Sequence, residues 1–204
     1  MLKTRSSQRH FILMFVLPVL TACVSDNALT QTTGSCPPLT SQASEQPKYL
    51  AQAQTYLKAN PGSHRVTDPC TELIFARERI DELQQKHVRF QQSYQGIPVW
   101  GQQIIVHFNA QDVVTSTTGS IQPITQKISI EPRIDKSIAA NTAANALGEG
   151  ARANDNKLSI YQHDGMPHLV HVVDVMQSMR RTMVFVDADT GLVLNQISAS
   201  PNRN

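Results

Sequence analysis

Between His87 and Asn109 the chain alternates with a period of two, and this alternation restricts its fold more than any other feature. Val88, Phe90, Gln92 and Tyr94 fall on one face of an extended segment. His87, Arg89, Gln91 and Ser93 fall on the other. Gln95-Gly96-Ile97-Pro98 then reads as a corner, because Gly96 can take positive φ and Pro98 fixes its own. From Gly101 the alternation resumes, with Ile104, Val106 and Phe108 on one side, and Asn109 to Asp112 form a polar turn. Val113 to Ser120 continues as a third strand. The succession predicts an antiparallel meander with short turns.

The flanking segments have other periods. Tyr49, Leu50, Ala53, Tyr56 and Leu57 recur at helical spacing within Lys48 to Asn60, and Asn60-Pro61-Gly62 stops the run. Thr71 to Leu83 fits a strand through Leu73, Phe75 and Arg77. It fits a helix equally well through Leu73, Arg77, Ile80 and Leu83. After Pro123, Asp135 is placed to cap a helix from Lys136 to Gly148, with Ile138, Ala139, Ala143, Ala146 and Leu147 at core spacing. Leu158 to Tyr161 is expected to pair across His163-Asp164-Gly165 with Leu169 to Val175. Thr182 to Val186 is expected to pair across Asp187-Ala188-Asp189-Thr190-Gly191 with Leu192 to Ile197.

The N-terminus reads as an address. Lys3, Arg5 and Arg9 precede the apolar run Phe11 to Leu20, which is too short to span a bilayer as a helix and suits a secretory leader over residues 1–22. Leu20-Thr21-Ala22-Cys23 resembles a bacterial lipobox, which would make Cys23 the lipidated first residue of the exported chain. Ordinary signal cleavage, with Cys23 left as a thiol, is the alternative. Val24 after the cysteine points to the outer membrane. Residues 23–46, rich in Ser, Thr, Gln and Asn, read as a flexible tether. Of 18 Lys and Arg, three leave with the leader, so 15 remain against 16 acidic residues. That near-neutral balance argues against nucleic acid as a partner. Cys36 and Cys70 are an even pair in an exported chain and are expected to form a disulfide rather than two free thiols.

The run His87-Val88-Arg89-Phe90-Gln91-Gln92-Ser93-Tyr94-Gln95-Gly96-Ile97-Pro98-Val99, extending through Gly101 to Val106-His107, resembles the fungalysin/thermolysin propeptide domain, and residues 71–122 are similar to it throughout. Residues 128–198 resemble the PepSY domain that follows it in precursors of thermolysin-like metallopeptidases. There the signature is the Ala-rich helix, two hairpins and Phe185-Val186-Asp187-Ala188-Asp189-Thr190-Gly191-Leu192-Val193-Leu194. The resemblance implies an α+β fold of two small antiparallel-sheet units, each with a packed helix. A propeptide-like domain would occupy residues 47–124, a PepSY-like domain 125–199 and a short tail 200–204. It also resolves the ambiguous segment as strand to Arg79 with a turn near Asp81-Glu82. Pro-regions of this family help their peptidase fold and inhibit it. The implied role is therefore binding a secreted zinc metallopeptidase in trans, as inhibitor or folding helper. The alternative is an envelope adaptor lipoprotein that reuses the fold without binding a peptidase.

No catalytic constellation is present: no His-Glu-x-x-His, Gly-x-Ser-x-Gly, phosphate loop or Cys-x-x-Cys, so neither an enzyme nor a cofactor is expected. His168 and His171 stand three apart on an expected strand and point to opposite faces, so only one can join His163, and no metal site is expected. His87 and His107 read as structural strand residues beside the corner. Trp100 is the single tryptophan. It fits a partner anchor and a lid on its own core equally well. Tyr94, Gly96, Ile97, Pro98 and Val99 are grouped with it as candidate partner-binding residues. Edge strands offer a second route, by backbone pairing.

Overall fold

The period-two segments fold as strands and the Ala- and Leu-patterned segments as helices in the computed structural model, which describes residue 36 and residues 47–199. Cys23, the leader and most of the tether lie outside the described residues. Helix α1 (Leu50–Ala59) is followed by two single turns, α2 (Pro61–His64) and α3 (Pro69–Glu72). Strands β1 (Leu73–Ile80), β2 (Lys86–Tyr94), β3 (Ile97–Phe108) and β4 (Val114–Ser120) come next. Tyr49, Leu50, Ala53 and Leu57 of the α1 segment pack on Val88, Phe90, Ile104, Val106 and Phe108 in one buried cluster. The segment that periodicity left open is strand from Leu73, bulged between Phe75 and Arg77. The carboxylate of Asp81 closes the following turn by accepting from the N–H groups of Leu83 and Gln85.

The expected four-residue corner is shorter than its sequence suggests. Gln95 and Gly96 both have positive φ, at 49° and 83°, the pair a tight two-residue hairpin requires. Ile97 and Pro98 already lie in β3, opposite Tyr94 and Ser93. The irregularity sits one step later, where the β2–β3 register slips between Gln91 and Ser93. The Gln91 side-chain amide bridges the gap by donating to the carbonyls of Val99 and Gln102. This wide bulge gives β3 two partners besides β2. Its C-terminal part pairs with β4, and Val99 pairs in parallel with Ile160.

Helix α4 (Lys136–Leu147) is capped by Asp135, whose carboxylate accepts from the Ser137 N–H at 2.7 Å. Strands β5 (Ala151–His163), β6 (Met166–Gln177), β7 (Arg180–Asp187) and β8 (Val193–Ala199) complete an eight-stranded sheet. Its order is β1-β2-β3-β5-β6-β7-β8, with β4 beside β3. The protein is thus a sheet-dominated α+β fold. Ala139 and Ala143 pack α4 on Val173, Val175, Val184 and Val186. Ile138, expected in this core, is instead 53% exposed, and Ala146 is exposed too, because the small alanines let the helix lie close on a narrow stripe. The last strands also run longer than their apolar cores. β6 is buried on both faces from Leu169 to Val175, and this template carries the polar stretch Ala151–Lys157 into pairing.

Every covering element lies on one side of the sheet. Helix α1 covers β2 and β3, and α4 covers β6 and β7. The connection between β4 and α4 drops Ile124 and Ile128 onto Val99, Ile160, Leu169 and Ala188. Among the described residues no helix covers the opposite face, where Trp100 and Tyr161 lie against Phe185.

Candidate interaction site

The uncovered face of β1–β3 presents the alternate residues that α1 leaves outward. Cross-strand register places Arg77 opposite Arg89, Arg79 opposite His87 and Gln91 opposite Gln103. Gln103 accepts from the Arg89 guanidinium at 2.6 Å and donates to Gln91 at 3.0 Å. His87 and His107 face each other through their Nδ1 atoms at 2.8 Å. The outer nitrogen of His87 lies 3.1 Å from the Asp81 carboxylate, and that of His107 lies 2.8 Å from the Thr118 hydroxyl. Burial, then the neighbouring His87, holds the His107 pKa below its ordinary value. The Gln85 N–H, with His87 second, holds Asp81 below the usual carboxylate range. Both histidines are strand residues engaged in hydrogen bonds, as their positions led us to expect.

The face continues past the β3 bulge onto the second half of the sheet. Trp100 meets Phe185 edge-on at 5.1 Å between ring centroids, and Tyr161 lies against the same ring at 4.4 Å. Val170 and Val172 are buried with Phe185, and Met183 and Leu194 pack on them. Between Trp100 and the polar end of β6 and β7 runs a groove of about 470 Å³, reached by Gln91, Gly101, Lys157, Asp174 and Met183. The Asp174 carboxylate takes a two-pronged contact from Arg181, at 2.9 and 2.8 Å, which raises the Arg181 pKa further. Lys157 pairs with Asp155 at 3.1 Å.

The candidate residues of the corner divide between inside and outside. Val99 is fully buried with Ile160, Leu169 and Ala188, so it cannot touch a partner. Tyr94 and Ile97 are half-buried against that cluster, and Pro98 is half-buried beside them. Gly96 is exposed at the turn, and Trp100 is 36% exposed. Trp100 therefore packs against Phe185 of its own core while part of it meets solvent. Cys36 and Cys70 are bonded, with Cα atoms 5.1 Å apart.

Each of the three hairpin histidines has a polar neighbour, His163 lying 3.5 Å from the Asp164 carboxylate. His168 lies 3.0 Å from Asp187, and the ring nitrogens of His171 reach Asn156 at 3.0 Å and the Ile134 carbonyl at 2.8 Å. Among the described residues no group of three or more His, Cys, Asp or Glu side chains is arranged to hold a metal. The arginine row was missed in the sequence, although Arg77 and Arg79 already showed the period-two spacing that puts both on one face.

Among known proteins, a family match falls on the first half of the sheet, and relatives align over 60–72% of the chain. Residues 71–121 match the family described as Fungalysin/Thermolysin Propeptide Motif. These residues are β1 to β4 with the turn before them. Bacillolysin of Brevibacillus brevis is 31% identical over 136 residues, which is 60% of this chain and 26% of that protein. Bacillolysin of Bacillus subtilis strain 168 is 28% identical over 155 residues, 69% of this chain and 30% of its own length. Neutral protease B of the same strain is 27% identical over 163 residues, 72% and 28% respectively. The chain spans between a quarter and a third of the length of these curated relatives. Among solved structures, the Bacillus megaterium YpeB C-terminal domain aligns with a TM-score of 0.43 at 15% identity, over 79% of this chain and 68% of that one.

Proposed function

We propose that this chain binds a secreted thermolysin-like zinc metallopeptidase in trans, as an inhibitor or folding helper, and performs no chemistry itself. The observation that carries this reading is the propeptide match over residues 71–121, which coincides with the bulged β1–β4 sheet and its uncovered face. A pro-region works by contact: it supplies a preformed surface on which a slow-folding partner assembles, and it occludes the partner's cleft. A sheet with one face sealed by helices and the other open suits that task. The second half, with α4 and two hairpins, fits a PepSY-like module that extends the same surface. We further propose that Cys23 is lipidated and tethers the chain to the outer membrane of a bacterial envelope.

The test is titration of the purified chain against mature bacillolysins and neutral protease B, with peptide hydrolysis, complex formation and recovery of activity after denaturation as readouts. Saturable binding at micromolar concentration or below, with either inhibition or improved refolding, is expected. No complex with any peptidase in the set, and no effect on activity or refolding, removes the proposal. For the anchor, Cys23→Ser should move the protein from the membrane fraction to the soluble one; unchanged membrane recovery refutes lipidation.

A further inference from the structure

We propose that the uncovered face of β1–β3 grips the peptidase and that it recognises a patch of carboxylates on its surface. This rests on the peptidase-binding reading and adds to it the surface and the chemistry selected. Three guanidinium groups stand on this face: Arg77, Arg79 and Arg89. Among the described residues none has a carboxylate within 4.0 Å. Asp81, two residues after Arg79, is engaged by His87 and by the N–H groups of its own turn. Glu78 points to the other side, where it accepts from the Tyr49 N–H at 2.9 Å. On the second half of the same face, by contrast, Arg181 and Lys157 each have a carboxylate partner.

Arg77 and Arg89 lie directly opposite each other in the ladder. Like charges in that position destabilise a sheet, so folding gains nothing from the pair. A counter-charge from outside would turn the repulsion into attraction. Arginine suits it, because its planar fork takes a carboxylate through two hydrogen bonds and loses less on desolvation than lysine. On the same face Gln91 and Gln103, next to Arg89, line the groove beside Trp100, where Met183 and Val172 supply apolar surface. Arginine and exposed tryptophan on one face are residue types enriched at protein interfaces. A lipid headgroup layer would need the charge and have no use for the groove, which favours a protein occupant.

The test compares the full chain with Arg77→Glu/Arg79→Glu/Arg89→Glu, binding each to mature bacillolysin at low and high salt. A control, Lys58→Glu/Lys127→Glu/Lys136→Glu, makes the same change in net charge away from this face. A milder triple, Arg to Gln at the same three positions, guards against misfolding, with circular dichroism on every variant. Wild-type affinity should fall steeply with salt. The reversal should weaken it about 10- to 100-fold at low salt, the Gln triple less, and the control little. If wild type binds and the reversal binds equally well, or the control loses as much, this inference falls and the functional reading stands. If wild type binds no peptidase, both fall. A third arm uses phosphatidylglycerol vesicles: chain capture that the reversal abolishes, with peptidase binding untouched, assigns the row to lipid and overturns the proposal.

Discussion

Replacing Gly119 with alanine should be among the most damaging single-methyl additions to this protein. Gly119 has φ of +108° and sits opposite Ile104 in the β3–β4 ladder. A Cβ built there would lie 2.0 Å from the Gln103 carbonyl oxygen and 2.9 Å from its carbon. Carbon and oxygen normally approach to about 3.3 Å, so one backbone must move by more than about 1 Å. The neighbour is main chain within a ladder and cannot rotate away. Overpacking of this kind costs about 1–3 kcal/mol, and the positive φ adds a similar amount. We expect a total of roughly 3–5 kcal/mol, a large share of the roughly 5–15 kcal/mol that stabilises a typical domain. Gly96→Ala is the matched comparison, since Gly96 also has positive φ (+83°) but nothing stands within 4 Å of the added carbon. It should lose only about 1 kcal/mol, from backbone strain alone. Urea denaturation followed by circular dichroism measures both. Should Gly119→Ala lose no more than Gly96→Ala, the close approach of β4 to Gln103 is wrong and so is the β3–β4 register.

Further tests follow from the same structure. Reducing the Cys36–Cys70 bond, or changing both to Ser, frees a loop with a sequence separation of 34 and should lower stability by roughly 3–4 kcal/mol on the chain-entropy model, read as a shift in the urea midpoint; an unchanged midpoint refutes it. Burial holds the pKa values of His64 and His107 below the ordinary 6.5. The unfolded chain therefore binds more protons in that window, so stability is full above 6.5 and is lost as pH falls towards the folded values. His107→Gln should flatten the slope of stability between about pH 7 and about pH 5, and an equally steep slope would refute that assignment. Asp187 is opposed by its own burial yet held below the usual carboxylate range by the N–H and hydroxyl of Thr190, by His168 and by the Asp189 N–H. Asp187→Ala leaves these donors facing an empty site and should lower stability by about 2–4 kcal/mol, with the loss largest near neutral pH and fading below the folded pKa; a variant as stable as wild type at neutral pH counts against it.

Sequence alone carried the element types wherever the period was clean. The alternation through Val88, Phe90 and Ile104, Val106, Phe108 dictated strands because only a pleated segment puts all five on one face. The Asp135 cap and the small residues after it marked α4, and Asp164-Gly165 marked a hairpin. Local chemistry suffices for such features. It could not reveal that Val99 is core while Trp100 is not, because that division depends on a bulge whose size is set by where β5 pairs with β3. Nor could it show that α1, the Ile124–Ile128 connection and α4 all settle on one side. Which face of a sheet is sealed is decided by which side its helices pack on, a choice made by contacts between residues far apart in the chain. That choice left Arg77, Arg79 and Arg89 together on open ground, and so turned three scattered cations into a candidate surface.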